Sequence, residues 1–192
     1  MRALLVALFI LVPTAAFAHP GHGDAIGAAA GFLHPLGGLD HVLAMIAVGV
    51  FAVVLGGRAL ILVPLSFLGM MAVGYLLGVS GVQLPFVELG IGLSSVVIGG
   101  VAASGRSMPV AAAMSLVGAF AVFHGHAHGA EAPAGGLDYA LGLSAATALL
   151  HAAGIAGALA VARLADRHGR TIAQVAGGVF ALGGIGVLAG WL

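Results

Sequence analysis

Neither cysteine nor lysine occurs in the 192-residue sequence, and charged side chains make up only 6% of it. Without cysteine there are no disulfides, no thiolate sites and no Cys-type zinc knuckles, and the chain is indifferent to the redox state around it. The shortage of charge excludes more. A water-facing domain carries roughly 25% charged residues. With 61% hydrophobic residues and a mean hydropathy of +1.21, this chain cannot cover a soluble surface. It reads as an integral membrane protein. The six basic residues are all arginines and form no polybasic run, so nucleic acid is excluded as a partner. Aromatic residues are sparse at 6%, whereas glycine is abundant with 33 residues. Small residues let membrane helices approach closely, so a tightly packed bundle is expected. No G-x-x-x-x-G-K-[ST] phosphate loop is present, so ATP hydrolysis by that route is excluded as well.

What is present begins with a leader. Arg2 supplies a positive start, Ala3 to Val12 an apolar stretch, and Ala16-Phe17-Ala18 a cleavage pattern, which predicts a signal peptide over residues 1–18. The mature domain is then 19–192. A membrane helix needs about 20 mainly apolar residues. Six such spans follow, at about 37–57, 59–79, 84–103, 108–128, 137–162 and 172–191. The fold class is therefore all-α, a polytopic bundle of six transmembrane helices. With residue 19 outside, Arg58, Arg106, Arg163, Arg167 and Arg170 fall on the cytoplasmic side, while Asp24, Glu131 and Asp138 lie in outer connections. That is a positive-inside distribution. It predicts a bacterial inner-membrane protein with both termini periplasmic.

Ionisable groups inside a membrane are costly and point to function by default. Here they gather in two islands, His34 to His41 and His124 to Glu131, both at the outer end. His34 and His41 are seven residues apart, which on a continuous helix puts them on one stripe. Pro35 is expected to mark the helix start. Asp40 adjoins His41, and Met45, four residues on, offers a soft thioether. In the second island His124, His128 and Glu131 share a helix face, and His126 points elsewhere. Gly125 and Gly129 offer an alternative, an unwound end with carbonyls facing the pathway. Imidazole and carboxylate without thiolate suit a divalent transition metal. The competing reading is structural: an Asp–His hydrogen bond between helices, and a solvated His-rich loop.

Four other positions are weaker candidates. Glu88 lies about one turn into the third span, and burial there would demand a partner. His151 lies thirteen residues beyond Asp138, about 20 Å inward. It reads as a lower ligand, a proton relay, or a packing histidine hydrogen-bonded to Thr147 or Ser144. His19 and His22 would flank a free amine after cleavage and either capture metal or hang free in a flexible terminus.

The His-Pro…Gly-x-Asp-His-x-Leu-x-Met pattern is carried by His34, Pro35, Gly38, Asp40, His41, Leu43 and Met45. A second pattern, Phe-His-Gly-x-Ala-His-Gly-x-Glu, is carried by Phe123, His124, Gly125, Ala127, His128, Gly129 and Glu131. Together they resemble the HupE/UreJ family of hydrogenase and urease accessory proteins, regarded as nickel and sometimes cobalt permeases. The resemblance implies a metal pathway through His34, Asp40, His41, His124, His128 and Glu131, with His126 at a variable position. It implies a secondary transporter importing a divalent metal, Ni²⁺ first and Co²⁺ second, for metalloenzyme maturation, with no tightly bound cofactor. The expected partners are the lipid bilayer and the transported ion, with a homo-oligomer left open. Two other classes compete. One is a membrane metal sensor, chaperone or haem anchor. The other is an intramembrane metal-dependent enzyme, against which the lack of H-E-x-x-H and G-x-S-x-G argues.

Overall fold

The computed structural model describes residues 27–132, 136–164 and 168–192, all helices and turns. The leader, His19, His22, Asp24 and Arg167 lie outside those residues. In chain order the helices are α1 (Ala28–Leu33), α2 (Leu39–Leu55), α3 (Ala59–Val79), α4 (Val87–Ser104), α5 (Val110–Glu131), α6 (Leu137–Leu164) and α7 (Gly169–Leu188). A single 3₁₀ turn, His34–Leu36, joins α1 to α2. Five helices, α3 to α7, are each long and apolar enough to cross a bilayer. The stretch Ala28–Leu36 and α2 are long and apolar enough only when taken together, with a bend of 86° between them, as a broken span or a re-entrant loop. Five of the six expected spans are therefore single helices, and the first is bent near its amino-terminal end.

The break follows from the local sequence. Pro35 occupies the 3₁₀ turn, and Gly38 caps α2 in an extended conformation with φ −106° and ψ 120°. Any residue adopts that extended conformation, but a Cβ at Gly38 would press on the Asp40 carboxylate and crowd the His41 ring, so glycine here leaves room for the Asp40–His41 pair. The consequence corrects one expectation. His34 and His41 do not share a stripe on one continuous helix, because the helix axis turns between them.

Short connections make α2 to α7 alternate in direction. Arg58, Arg106, Arg163 and Arg170 therefore collect at one end of the bundle, and there the Arg170 guanidinium donates to the Gly105 carbonyl at 2.7 Å. Glu88, Glu131, Asp138 and the residues leading into α2 lie at the other end, as does the carboxy-terminal end of α7.

The most extensive helix pairing is α3 with α5, followed by α4 with α7 and α2 with α6. Glycine enables each. A Cβ on Gly125 would collide with the Met71 carbonyl, and one on Gly129 with that of Tyr75. These residues lie in unbroken helix, since α5 runs through to Glu131. Gly125 and Gly129 thus serve close packing and do not unwind the helix. Small residues are the usual means of bringing membrane helices into backbone contact.

Candidate functional site

Starting at the surface, His34 Nε2 stands 3.5 Å from the Glu131 carboxylate, with both side chains well exposed. An exposed pair of this kind contributes little stability, so it is a polar surface contact and not a brace. One ring further in, His128 lies between two others. Its centroid is 5.0 Å from that of His34 and 4.7 Å from that of His41. His41 in turn meets His124 edge-on at 4.8 Å. The two islands are therefore one chain of four imidazoles. The i, i+4 spacing of His124 and His128 on α5 sets the step, and the bend after α1 lets His34 and His41 approach His128 separately.

Hydrogen bonding decides which nitrogen each ring offers. A carboxylate can only accept, so His41 Nδ1–H donates to Asp40 Oδ1 at 2.8 Å. The His41 backbone N–H donates to the same oxygen, also at 2.8 Å. His41 Nε2 is left as a buried lone pair with no protein partner. On α4 the Ser94 hydroxyl donates to the Ile91 carbonyl at 2.5 Å, which uses its only proton. With that proton on the Ile91 carbonyl, the contact with His124 Nε2 at 2.9 Å is N–H donating to Oγ. This leaves His124 Nδ1 as the free lone pair, again buried and without a partner. Neither nitrogen of His128 has a protein partner. A buried polar group left unpaired costs roughly 1–3 kcal/mol, so these nitrogens favour a partner from outside the protein, water or a cation.

The remaining predicted residues separate clearly. His126 Nε2–H donates to the Val82 carbonyl at 2.6 Å and ties α5 to the α3–α4 turn, away from the imidazole chain. Met45 is fully buried in the hydrophobic core. Glu88 is exposed in the first turn of α4, so the expectation that it is buried and needs a partner does not hold. A carboxylate there faces the positive end of the helix dipole and is stabilised without burial. His151 is buried with both nitrogens unpartnered. Neither expected hydroxyl serves it. Thr147 Oγ1 donates to Met71 Sδ at 3.7 Å, and Ser144 Oγ donates to the Ala140 carbonyl at 2.8 Å.

Two contributions escaped the sequence reading. Ser94 orients His124 from thirty residues away, and its only signal was a Ser94-Ser95 pair in an apolar span. The chain's two tyrosines, Tyr75 and Tyr139, stack at 6.4 Å, and Tyr139 reaches His34 at 6.0 Å. As the rings stand, no three His, Asp or Glu groups among the described residues surround a common point suited to a metal ion. What the arrangement offers is a file of imidazoles in which His41, His124 and His128 each keep a buried nitrogen without a protein partner.

Comparison with known proteins agrees with this architecture. The family described as HupE / UreJ protein matches residues 6–187, nearly the whole chain. This chain belongs to the HupE/UreJ family. It is 44% identical over 184 residues to Protein HupE of Rhizobium leguminosarum bv. viciae, and the alignment covers 94% of each chain. No solved structure matches it. Within this HupE/UreJ fold both signature motifs meet at one end of the bundle, on α5 and on the bent first span.

Proposed function

We propose that this HupE/UreJ chain is a permease that carries a divalent transition-metal cation, Ni²⁺ ahead of Co²⁺, into the cell to supply hydrogenase or urease maturation. The family is one of accessory and metal-transport proteins, which supports transport over catalysis. The observation that carries the reading is the set of buried, unpartnered imidazole nitrogens on His41, His124 and His128, reached from the exposed His34–Glu131 pair. Imidazole is a preferred ligand for Ni²⁺ and Co²⁺, and each ring here offers it without first having to break a hydrogen bond.

In this reading the arginine-bearing end faces the cytoplasm and the imidazole end faces the periplasm. The carboxylates of Glu131, Asp138 and Glu88 attract the hydrated cation. His34 and Glu131 exchange the first waters, and His128, His41 and His124 then share the ion. Asp40 holds the His41 ring and adds negative charge that offsets the positive field at the start of α2. Ligands that are few and mixed bind weakly enough to release, as conduction requires. The cation is cargo, and no resident cofactor is invoked.

The test is uptake of radiolabelled Ni²⁺ and Co²⁺ in cells lacking other importers, with and without this chain. Uptake that depends on the chain and on His41 and His128 is the expected result. Metal binding by the purified protein with no uptake would favour a membrane sensor instead.

A further inference from the structure

We propose that His151 is a second, inner station on the cation route, separated from the outer imidazoles by the ring of Phe67. The proposal rests on the permease reading and extends it into the half of the bundle that the outer cluster does not reach.

Three observations converge. First, His151 is 1% exposed near the middle of α6, and neither ring nitrogen has a hydrogen-bond partner. Its backbone is held in place by Gly49 of α2, where a Cβ would strike the His151 carbonyl. Secondly, it continues the file of rings. Phe67 contacts His124 at 5.6 Å on one side and His151 at 5.0 Å on the other, meeting His151 edge-on. Thirdly, among the described residues of the spans, no other imidazole or carboxylate lies between His124 and the arginine end. A cation leaving His124 would otherwise face only apolar packing, hydroxyls and thioethers.

The chemistry is that of a hand-over. A neutral imidazole is a borderline donor suited to Ni²⁺, and a single protein ligand with water in the other positions holds the ion only briefly. Met71 and Thr147 bond to each other one helical turn towards the outer end, so neither competes for the His151 nitrogens. Displacement of the Phe67 ring, which has no hydrogen bond to break, connects the two stations. A histidine kept only for packing has no need of free nitrogens, and phenylalanine would fill its place.

The decisive variant is therefore His151→Phe, which keeps an aromatic ring and removes the lone pairs. In cells, the variant is expected at normal membrane abundance with Ni²⁺ uptake reduced at least tenfold. KM should be unchanged, because the outer imidazoles still capture the ion. On purified full-length protein in nanodiscs, titration with Ni²⁺ alone, carried well past saturation of the outer cluster, should reveal a second, weaker equivalent in the unmodified chain that His151→Phe lacks. His41→Ala should remove the other equivalent. Uptake by His151→Phe above half the unmodified rate overturns the proposal, and so does an unaltered Ni²⁺ stoichiometry. If His151→Phe fails to accumulate, His151→Gln decides: full uptake by that poor metal ligand overturns the station, and loss of uptake supports it. Absence of uptake by the unmodified chain would refute the permease reading, and the stoichiometry would still decide whether His151 binds metal.

Discussion

Replacing Ser94 with alanine removes one oxygen atom from the bundle, and its consequences follow from counting protons. Ser94 gives its only proton to the Ile91 carbonyl and accepts the one on His124 Nε2. In Ser94→Ala the His124 N–H loses its acceptor inside a fully buried site. That leaves a donor unsatisfied at a cost of roughly 1–3 kcal/mol. The ring then relieves the cost by moving its proton to Nδ1 or by rotating, and either change withdraws the lone pair from the imidazole file. Losses of this kind around metal-ligating histidines typically weaken metal affinity by about 10–100-fold. The expected result is a KM for Ni²⁺ raised within that range. Ser95→Ala is the control, since Ser95 bonds only to the Gly92 carbonyl, at 3.2 Å, and should leave KM unchanged. The assay pairs uptake kinetics at matched abundance with ¹⁵N spectra of histidine-labelled protein, in which the His124 tautomer is read directly. An unaltered tautomer together with an unaltered KM would refute the proton count.

If His41 and His128 act on one ion together, His41→Ala and His128→Ala should each bring uptake near background. The double variant should then lose little more, because groups acting as a unit are non-additive; independent, multiplicative losses would mean sequential sites. His126→Ala should leave uptake within about twofold while destabilising the bundle by roughly 0.5–1.5 kcal/mol, because the bond to the Val82 carbonyl is lost; thermal unfolding in detergent and uptake measured side by side test both halves. Reporter fusions at Ser80, Ala132 and Leu192 should read periplasmic, and those at Gly57, Gly105 and Gly169 cytoplasmic. An inverted result at Ala132 would place the imidazole end on the wrong side for import.

The spans were legible because bilayer thickness imposes a length on every apolar stretch and glycine-rich turns separate them. Within α5 the helical period correctly grouped His124, His128 and Glu131 and set His126 apart. The same period misled at His34 and His41, because it assumes a continuous axis and Gly37-Gly38 interrupts one. Glu88 was misjudged for a related reason: a carboxylate in a helix's first turn meets the dipole and solvent, and position along the span alone does not reveal that. The partners of Thr147 and Ser94 were beyond reach. Each bond joins different helices, to Met71 and to His124 respectively, and no local pattern encodes a contact between distant segments.

The glycine contacts between α3 and α5 divide the molecule mechanically. Backbone touching backbone at Gly125 and Gly129 makes those two helices a stiff plate, and His124 and His128 are mounted on it. His41 stands on α2, whose glycine-mediated backbone contact is with α6 and which packs only sparsely against α5. The imidazole file therefore lies on a seam between two bodies that meet there mostly through side chains. A small relative slide of these bodies would change the spacing between His41 and the two imidazoles of α5 without parting the close backbone contacts within either one.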